Sequence, residues 1–269
     1  MMSTIRKCAV LILGLGVIAG AGSMTANAAD ALQNIESSGT IKIGMLVDFP
    51  PYGLMNEQNQ PDGYDADVAK LLAKNMGVKL QLVPVTGPNR IPYLLSGQVD
   101  LLVASLGITP ERAKSVDFSE PYAAITIGVY GKDDVKVAKP EDLAGKTIAV
   151  ARASTQDTAV TKVTPQSATI RRFDSDAAAL QALMSGQVPL VGCSNVCYAT
   201  IQKLAPGKYN KKFELSSQVQ GIAVKPGEKK LLARVNEFID KIKADGELDK
   251  INEKWLGEPM PAVLKKASK

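Results

Sequence analysis

Apolar residues recur along the chain with two different periods, and together they predict strands that alternate with helices. The clearest helix pattern places Val68, Leu71, Leu72 and Met76 on one face, with Gly77 following as a stop signal. In the first half, the pattern predicts strands over 41–47, 78–83 and 99–104 and helices over 65–76 and 91–95. In the second half, it predicts strands over 147–150, 169–173 and 188–192 and helices over 155–163 and 176–185.

The last part of the chain is predicted to form two amphipathic helices. A break at Asp245-Gly246 separates them. The second helix carries Leu248, Ile251 and Trp255. The first helix has one apolar stripe, formed by Leu231, Leu232, Val235, Phe238, Ile239 and Ile242.

One phrase of twelve residues occurs twice. Residues 94–105 read LLSGQVDLLVAS and residues 183–194 read LMSGQVPLVGCS, so seven of the twelve positions are identical. Each copy lies in the same order of strand, helix, strand, helix and strand, which predicts two similar α/β lobes with parallel strands. Ligands bind beyond the carboxyl ends of strands in such sheets, so Ser105 and Ser194 are predicted to be equivalent residues at two binding edges.

The chain is predicted to cross between the lobes twice, over 125–130 and over 218–224. Residues 29–127 together with 221–269 then form the first lobe, and residues 128–220 form the second. Two extended crossings form a hinge, and a hinge of this kind places the ligand between the lobes.

The first 28 residues have the pattern of a secretory signal peptide. Arg6 and Lys7 form a basic start, residues 9–21 are apolar, and Ala26-Asn27-Ala28 supplies the small residues of a cleavage site. The apolar stretch is shorter than the ~20 residues of a membrane-spanning helix; an uncleaved anchor is the alternative. We therefore expect export and a periplasmic location after cleavage near Ala28.

Composition excludes several classes of function. Removal of Arg6 and Lys7, with no acidic residue in the same segment, lowers the formal net charge from +5 to +3, and no basic stripe interleaved with aromatics indicates nucleic acid binding. The sequence has no histidine, which excludes His-based triads and His-ligated zinc or haem. We expect no cofactor and no metal, and a monomer.

Cys193 and Cys197 are the two cysteines that remain after cleavage. In an oxidising compartment they either form a disulfide or stay free. Their spacing on a regular helix is awkward for a bridge, and the sequence leaves both alternatives open.

Several phrases resemble the bacterial extracellular solute-binding proteins of family 3, which serve ABC importers of polar amino acids. The phrases are GTIKIGMLVDFPPYG, DGYDADVAKLLAKNMGV, SGQVDLLVASLGITPERAKSVDFSEPY, LAGKTIAVARASTQ and DGELDKINEKWLG, and they extend from about Gly39 to Gly257. The resemblance implies a type II periplasmic binding protein fold, with two similar α/β lobes joined by a two-strand hinge. It also implies an amino acid as ligand and the membrane permease of an ABC importer as partner.

The phrase ASLGITPER supplies the predicted carboxylate site. Arg112 offers a planar fork for bidentate carboxylate binding, and the resemblance implies that it is the carboxylate clamp; a solvated helix arginine is the alternative. Gly107 lacks a side chain and lets backbone N–H groups approach a ligand. Ser105 can bond to a ligand oxygen or ammonium.

Two further segments are predicted to meet the ligand. Ser154, Thr155 and Gln156 open a helix whose first N–H groups and dipole favour an anion. The resemblance implies that this segment closes on the same carboxylate, and capping by Ser154 is a compatible role. Phe49 matches an aromatic residue that packs over the ligand, with a core phenylalanine as the alternative.

Other positions depart from the family pattern. Ser194 stands where relatives often have an Asp that pairs with the ligand ammonium, Gly87 where a second stacking aromatic is usual, and Leu46 where an acidic residue is frequent. Arg90 is a further candidate, which either meets the side-chain carboxylate of an acidic ligand or is solvated on a helix's first turn. The sequence leaves the identity of the amino acid open.

Two other classes of function compete with transport. Cyclohexadienyl dehydratases resemble this family, but their chemistry needs a positioned general acid. The cleft phrases offer only Asp48 and Glu111, and Glu111 is expected on a helix turn. A sensor ectodomain is disfavoured because no membrane segment or signalling domain follows Lys269 in the sequence. A binding protein without enzymatic activity is the favoured hypothesis.

Overall fold

The computed structural model describes residues 30–265, and the predicted signal peptide lies outside these residues. The helices are α1 (Ala31–Ser38), α2 (Tyr64–Met76), α3 (Arg90–Ser96), α4 (Thr155–Val163), α5 (Asp176–Met184), α6 (Asn195–Leu204), α7 (Lys229–Ala244) and α8 (Glu247–Leu256). The strands are β1 (Thr40–Leu46), β2 (Leu54–Met55), β3 (Pro61–Asp62), β4 (Lys79–Val85), β5 (Leu101–Leu102), β6 (Asp117–Gly131), β7 (Thr147–Ala151), β8 (Thr169–Phe173), β9 (Leu190–Ser194) and β10 (Asn210–Val224).

Eight strands form one sheet in the order β4-β1-β5-β10-β6-β9-β7-β8. On the β1 side, β1 pairs in parallel with β4 and β5, and on the β7 side, β7 pairs in parallel with β8 and β9. The antiparallel pair β6 and β10 lies between the two sides. This arrangement confirms the predicted α/β class.

The two predicted crossings lie within β6 and β10. Both strands begin earlier than predicted, since β6 starts at Asp117 and β10 at Asn210. The predicted lobe boundaries, residues 29–127 with 221–269 and residues 128–220, stay a prediction.

The repeated phrase folds in the same way on both sides of the sheet. Its first copy ends α3, turns at Gly97 and enters β5, and its second copy ends α5, turns at Gly186 and enters β9. Both glycines have a φ of 78°, a left-handed conformation that glycine adopts without a steric cost. β5 and β9 are each parallel to the strand that opens their side, so the repeat in sequence is a repeat in structure.

Caps set the helix ends that face the middle of the sheet. Ser154, Ser175 and Ser194 precede α4, α5 and α6, and each accepts a hydrogen bond from a backbone N–H of the first turn. α6 and α1 were not predicted from the apolar pattern. α6 begins directly at the end of β9, so no turn or loop sequence separates the two elements.

The core contains the predicted stripe of α7. Leu231, Val235, Phe238, Ile239 and Ile242 are buried, whereas Leu232 packs at the edge of the core. A second apolar cluster fills the β7 side and includes Ile148, Val150, Val160 and Leu190. No helix within residues 30–265 is long and apolar enough to cross a membrane.

The cluster on the β7 side depends on a glycine. A Cβ atom at Gly192 would lie 2.4 Å from Cγ2 of Val160 and 3.1 Å from Cγ1 of Val150. We expect Gly192→Ala to lower the free energy of unfolding by about 1–3 kcal/mol, the usual cost of overpacking. Urea denaturation measures the change. Adding Val160→Ala to Gly192→Ala removes the nearest contact and should recover part of the lost free energy of unfolding. If Gly192→Ala is as stable as the wild type, this account of the packing is wrong.

Candidate functional site

A cleft of about 430 Å³ lies where the β1 side and the β7 side of the sheet face each other. It includes seven of the nine predicted site residues, since Gly107 and Ser194 are not among its lining residues. The lining residues are Leu46, Asp48, Phe49, Gly87, Arg90, Ser105, Arg112, Ile125, Ala151, Arg152, Ser154, Thr155, Gln156, Asp174, Ser175, Asp176 and Gln220.

Arg112 extends from the β1 side across the cleft. Its Nη1 donates to the carbonyl of Gly107 at 2.9 Å, and its Nη2 donates to the carbonyl of Ala153 on the β7 side at 2.8 Å. A guanidinium carries five N–H groups, so these two bonds leave three for a ligand. Burial, followed by the charge of Arg90, lowers the pKa of Arg112 to about 9, so the side chain stays cationic at neutral pH.

Arg90 is 4% exposed, so the interpretation of a solvated arginine is wrong. Its Nε donates to Gly87, its Nη1 to Ala104 and Ser105, and its Nη2 to Ala153, all at backbone carbonyls and at 2.9 to 3.5 Å. Four of its five N–H groups are therefore committed to the protein. The alternative role, a contact with a ligand side-chain carboxylate, stays a prediction, and one N–H group of Arg90 remains for that contact.

Ser105 has a strained backbone and an unpartnered hydroxyl. Its φ of 47° is left-handed, a conformation that is costly for a residue other than glycine. Its Oγ is buried and has no hydrogen-bond partner among the described residues. Its N–H donates to the hydroxyl of Tyr122, which in turn donates to Oδ1 of the buried Asp65 at 2.7 Å. This buried chain of bonds fixes the turn that presents Ser105 to the cleft.

Gly107 allows the two sides to approach each other. A Cβ atom here would lie 2.7 Å from Cγ2 of Thr155 and 2.8 Å from Cγ of Gln218. The carbonyl of Gly107 accepts from Arg112, and its strand bridge pairs it with Gln220. The absence of a side chain thus permits close contact between the sides, in addition to the predicted role in ligand approach.

The start of α4 faces the cleft from the β7 side. The hydroxyl of Ser154 accepts from the N–H of Asp157 at 3.0 Å and donates to the carbonyl of Ala151 at 2.7 Å, so it caps the helix. Thr155 donates its hydroxyl to Oε1 of Gln156. The first N–H groups of a helix have no partner within the helix, and its dipole is positive at this end. The segment is suited to an anion.

Ser194 is fully buried, and its Oγ accepts from the N–H of Cys197 at 3.1 Å as the cap of α6. It does not line the cleft, because its hydroxyl points into the first turn of this helix. Its neighbour Asn195 accepts from the N–H of Thr126. Cys193 and Cys197 are both buried and both free thiols.

Phe49 is both a core residue and a cleft residue. It is 3% exposed, stacks on Tyr52 with ring centroids 5.7 Å apart, and lines the cleft. The two interpretations offered for it are therefore compatible.

Sequence reasoning missed Asp176 and Gln220 as cleft residues, and it considered Asp48 only as a general acid. Burial, followed by repulsion from Asp48, raises the pKa of Asp176 to about 7, and Arg90 opposes this shift. Burial also raises the pKa of Asp48. Gln220 is fully buried, and neither polar atom of its amide has a partner among the described residues. These three residues come from distant parts of the chain, so no local motif could have linked them.

Comparisons with known proteins agree with this architecture. The sequence model of the bacterial extracellular solute-binding proteins, family 3, matches residues 41–258. This chain belongs to that family. This chain is 32% identical over 240 residues to the ABC transporter glutamine-binding protein GlnH of Bacillus subtilis, and the match covers 85% of each chain. It is 25% identical over 255 residues to the L-cystine-binding protein TcyJ of Escherichia coli, covering 94% of this chain and 96% of TcyJ.

Solved structures of similar proteins have the same fold. A mutant of the protein ArgBP from T. maritima superposes with a TM-score of 0.79 at 32% identity, covering 85% of this family 3 chain and 100% of the other. An ancestral amino acid-binding protein, AncCDT-1, is described as a precursor of cyclohexadienyl dehydratase. It superposes with a TM-score of 0.78 at 34% identity, and the match covers 83% of this chain and 98% of AncCDT-1. Within residues 30–265 of this chain, no group of three His, Cys, Asp or Glu residues is arranged to hold a metal ion.

Asp65 gives the family 3 protein a testable pH dependence. Burial raises the pKa of its carboxyl to about 7, against the hydrogen bond from Tyr122 that lowers it. The folded protein thus holds a proton that the unfolded chain releases near pH 4, so stability declines as the pH rises from about 4 to about 7. We expect the free energy of unfolding to fall less between about pH 5 and about pH 8 in Asp65→Asn than in the wild type, as measured by denaturant titration.

The exposed carboxyl of Asp174 provides the control for this experiment. Asp174→Asn makes the same substitution at an exposed side chain, so it reports any effect of replacing Asp by Asn that does not depend on burial. Identical profiles for Asp65→Asn and the wild type would show that Asp65 does not titrate in this range.

Proposed function

We propose that this family 3 protein binds an amino acid in the cleft between the β1 side and the β7 side and delivers it to the permease of an ABC importer from the periplasm. The observation that carries the proposal is Arg112, which lies in the cleft with three uncommitted N–H groups opposite the start of α4. The relatives named for glutamine and L-cystine binding support an amino acid as the class of ligand.

The α-carboxylate of the ligand lies between Arg112 and the first turn of α4. Arg112 contributes a charged fork, and the N–H groups of Thr155 and Gln156 contribute the positive end of a helix dipole. The hydroxyl of Ser105 adds a neutral donor from the β1 side. One carboxylate therefore contacts both sides of the cleft.

Binding is coupled to closure of the two sides. The strands β6 and β10 run between the sides, and rotation about them moves one side without breaking the parallel pairs of either. Arg112 and Arg90 both donate to the carbonyl of Ala153 across the cleft when the sides are together. A ligand that bonds to both sides binds this closed form better than an open form and shifts the equilibrium toward it.

We infer a binding role and no catalysis. AncCDT-1 is itself described as an amino acid-binding protein, although it is a precursor of a dehydratase. The carboxyls of Asp48 and Asp176 in the cleft have raised pKa values, a property that a general acid needs, so the enzymatic alternative requires a direct test. Incubation with prephenate or arogenate followed by chromatography separates the two roles, because a binding protein leaves both compounds intact.

A thermal shift panel of amino acids on refolded, ligand-free protein tests the proposed function. At a ligand concentration 100-fold above Kd, binding adds about 2.7 kcal/mol to the free energy of unfolding. We expect one amino acid or a small group of them to raise the Tm. A panel in which no amino acid changes the Tm would refute the proposed function.

Arg112→Ala is expected to abolish binding of the amino acid found in the panel while the protein stays folded. Loss of one partner of a buried charge pair costs roughly 2–5 kcal/mol, which calorimetry measures as an increase in Kd. Arg112→Lys should also bind weakly, because a point charge does not replace a planar fork.

The matched control is Arg171→Ala. Arg171 is exposed and lies over the ring of Phe173, outside the lining of the cleft. It should leave the Kd unchanged, and circular dichroism should show the same fold for Arg112→Ala, Arg112→Lys and Arg171→Ala. A Kd within about threefold of the wild type for Arg112→Ala would remove Arg112 from the site.

A further inference from the structure

Two carboxylates line the cleft from opposite sides. Asp48 follows β1 on the β1 side, and Asp176 opens α5 on the β7 side. They are close enough for the charge of Asp48 to raise the pKa of Asp176. Both also line a second, mainly apolar groove that adjoins the cleft, so they lie at the junction of the two cavities.

Neither carboxylate has a cation paired with it. Among the described residues, no Lys or Arg nitrogen forms an ion pair with Asp48 or Asp176. The charge of Arg90 acts on Asp176, but the N–H groups of Arg90 donate to backbone carbonyls. Asp176 accepts one long hydrogen bond, at 3.5 Å, from Nε2 of Gln156. A partly buried carboxylate of this kind keeps its charge if it acquires a cationic partner, and otherwise it takes up a proton at a higher pH than usual.

Buried polar atoms in the same cleft also lack partners. Gln220 is fully buried with neither amide atom bonded, and the Oγ of Ser105, which is 8% exposed, is unbonded as well among the described residues. Buried polar groups in folded proteins are almost always hydrogen-bonded. Together with the unpaired carboxylates, these atoms mark a site that a polar ligand completes.

Ser194, the predicted ammonium contact, is fully buried, caps α6 and is not among the lining residues of the cleft. Asp176 lies near the first turn of α6, since Asp176 and Cys197 line the same groove. Burial raises the pKa of the Cys197 thiol most, followed by Cys193, and the charge of Asp176 adds to this shift. A carboxylate is therefore present near the start of α6, supplied by α5 and not by the end of β9.

We propose that Asp176, with Asp48 opposite it, holds the α-ammonium group of the bound amino acid. This assignment rests on the proposed function, in which Arg112 and α4 take the α-carboxylate. The ammonium lies between two carboxylates that otherwise repel each other across the cleft, so it favours closure. The site then selects ligands with an unmodified amine and rejects analogues that lack the cation.

Calorimetry on the wild type, Asp176→Asn and Asp48→Asn tests the assignment with two ligands. One is the amino acid found in the thermal shift panel, and the other is its α-hydroxy acid analogue, which has the same carboxylate and side chain but no ammonium. We expect Asp176→Asn to raise the Kd of the amino acid about tenfold or more, since charge-assisted bonds are roughly twice as strong as neutral ones. The Kd of the hydroxy acid should stay the same or fall. Asp48→Asn should act in the same direction.

The pH dependence of binding provides a second measurement. Asp48, Arg90 and Cys197 are the charged or titratable groups that act on Asp176 from the neighbouring elements, and Arg112 also lines the cleft. With a pKa of about 7, Asp176 is mostly protonated at pH 6. We expect the wild-type Kd for the amino acid to rise roughly tenfold from pH 8 to pH 6, and this change to be lost in Asp176→Asn.

Asp134→Asn is the matched control, because this carboxylate is exposed and lies outside the lining of the cleft. It should change neither Kd by more than about threefold. An equal loss of affinity for both ligands in Asp176→Asn would overturn the assignment in favour of a structural role. Unchanged affinity of Asp176→Asn for the amino acid would overturn only the ammonium assignment and leave the proposed function standing. A wild type that binds no amino acid would refute the proposed function itself.

Discussion

The carbonyl of Ala153 accepts hydrogen bonds from two arginines that come from the other side of the cleft. Its bond to Arg112 is 2.8 Å long and its bond to Arg90 is 3.5 Å long. Ala153 has a left-handed backbone with a φ of 58°, which is costly without a compensating interaction. Because two cations converge on one backbone oxygen, the contact between the two sides depends on this turn between β7 and α4.

This convergence explains how the cleft holds its charges. Arg90 is almost completely buried, and backbone carbonyls satisfy most of its donors. The charges of Asp176, Asp48 and Asp65 also favour its cationic form, although none of them forms an ion pair with it. Because its N–H groups donate to backbone carbonyls, Arg90 forms no hydrogen-bonded ion pair with the acidic side chains of the cleft. Among the described residues, Asp48 and Asp176 have no ion-pair partner, and Arg112 retains three N–H groups that no protein acceptor uses.

The sequence predicted the regular parts of the fold well, because their signals are local. The helix over 155–163 and the strand over 169–173 agree with α4 and β8, and the repeat of L-S-G-Q-V identified two equivalent turns. The helix α6 escaped prediction because its sequence, NVCYATIQKL, is rich in residues of low helix propensity, such as Asn, Val, Cys and Thr. Its stability comes from burial of Val196, Cys197 and Ile201.

The site was predicted in part for the same reason. Arg112 and the start of α4 have local motifs, so both could be assigned from the sequence. The direction of the Arg90 side chain depends on carbonyls at Ala104 and Ala153, which lie far from it in the chain, so burial and solvation could not be distinguished in advance. The repeat predicts that Ser194 is equivalent to Ser105 at a binding edge. In the structure its hydroxyl caps α6, and a sequence repeat does not indicate which of these two roles a serine has.

The two proposed contacts of the ligand share one design. On the β1 side are Arg112 and Asp48, and on the β7 side are the start of α4 and Asp176. Each charge of a zwitterion thus meets one group from either side. A ligand with only one of the two charges leaves a pair of groups without its partner, and across the acidic pair the remaining interaction is repulsion. We therefore propose that recognition of both charges and closure of the cleft are the same event, since neither proposed contact is complete until the two sides meet.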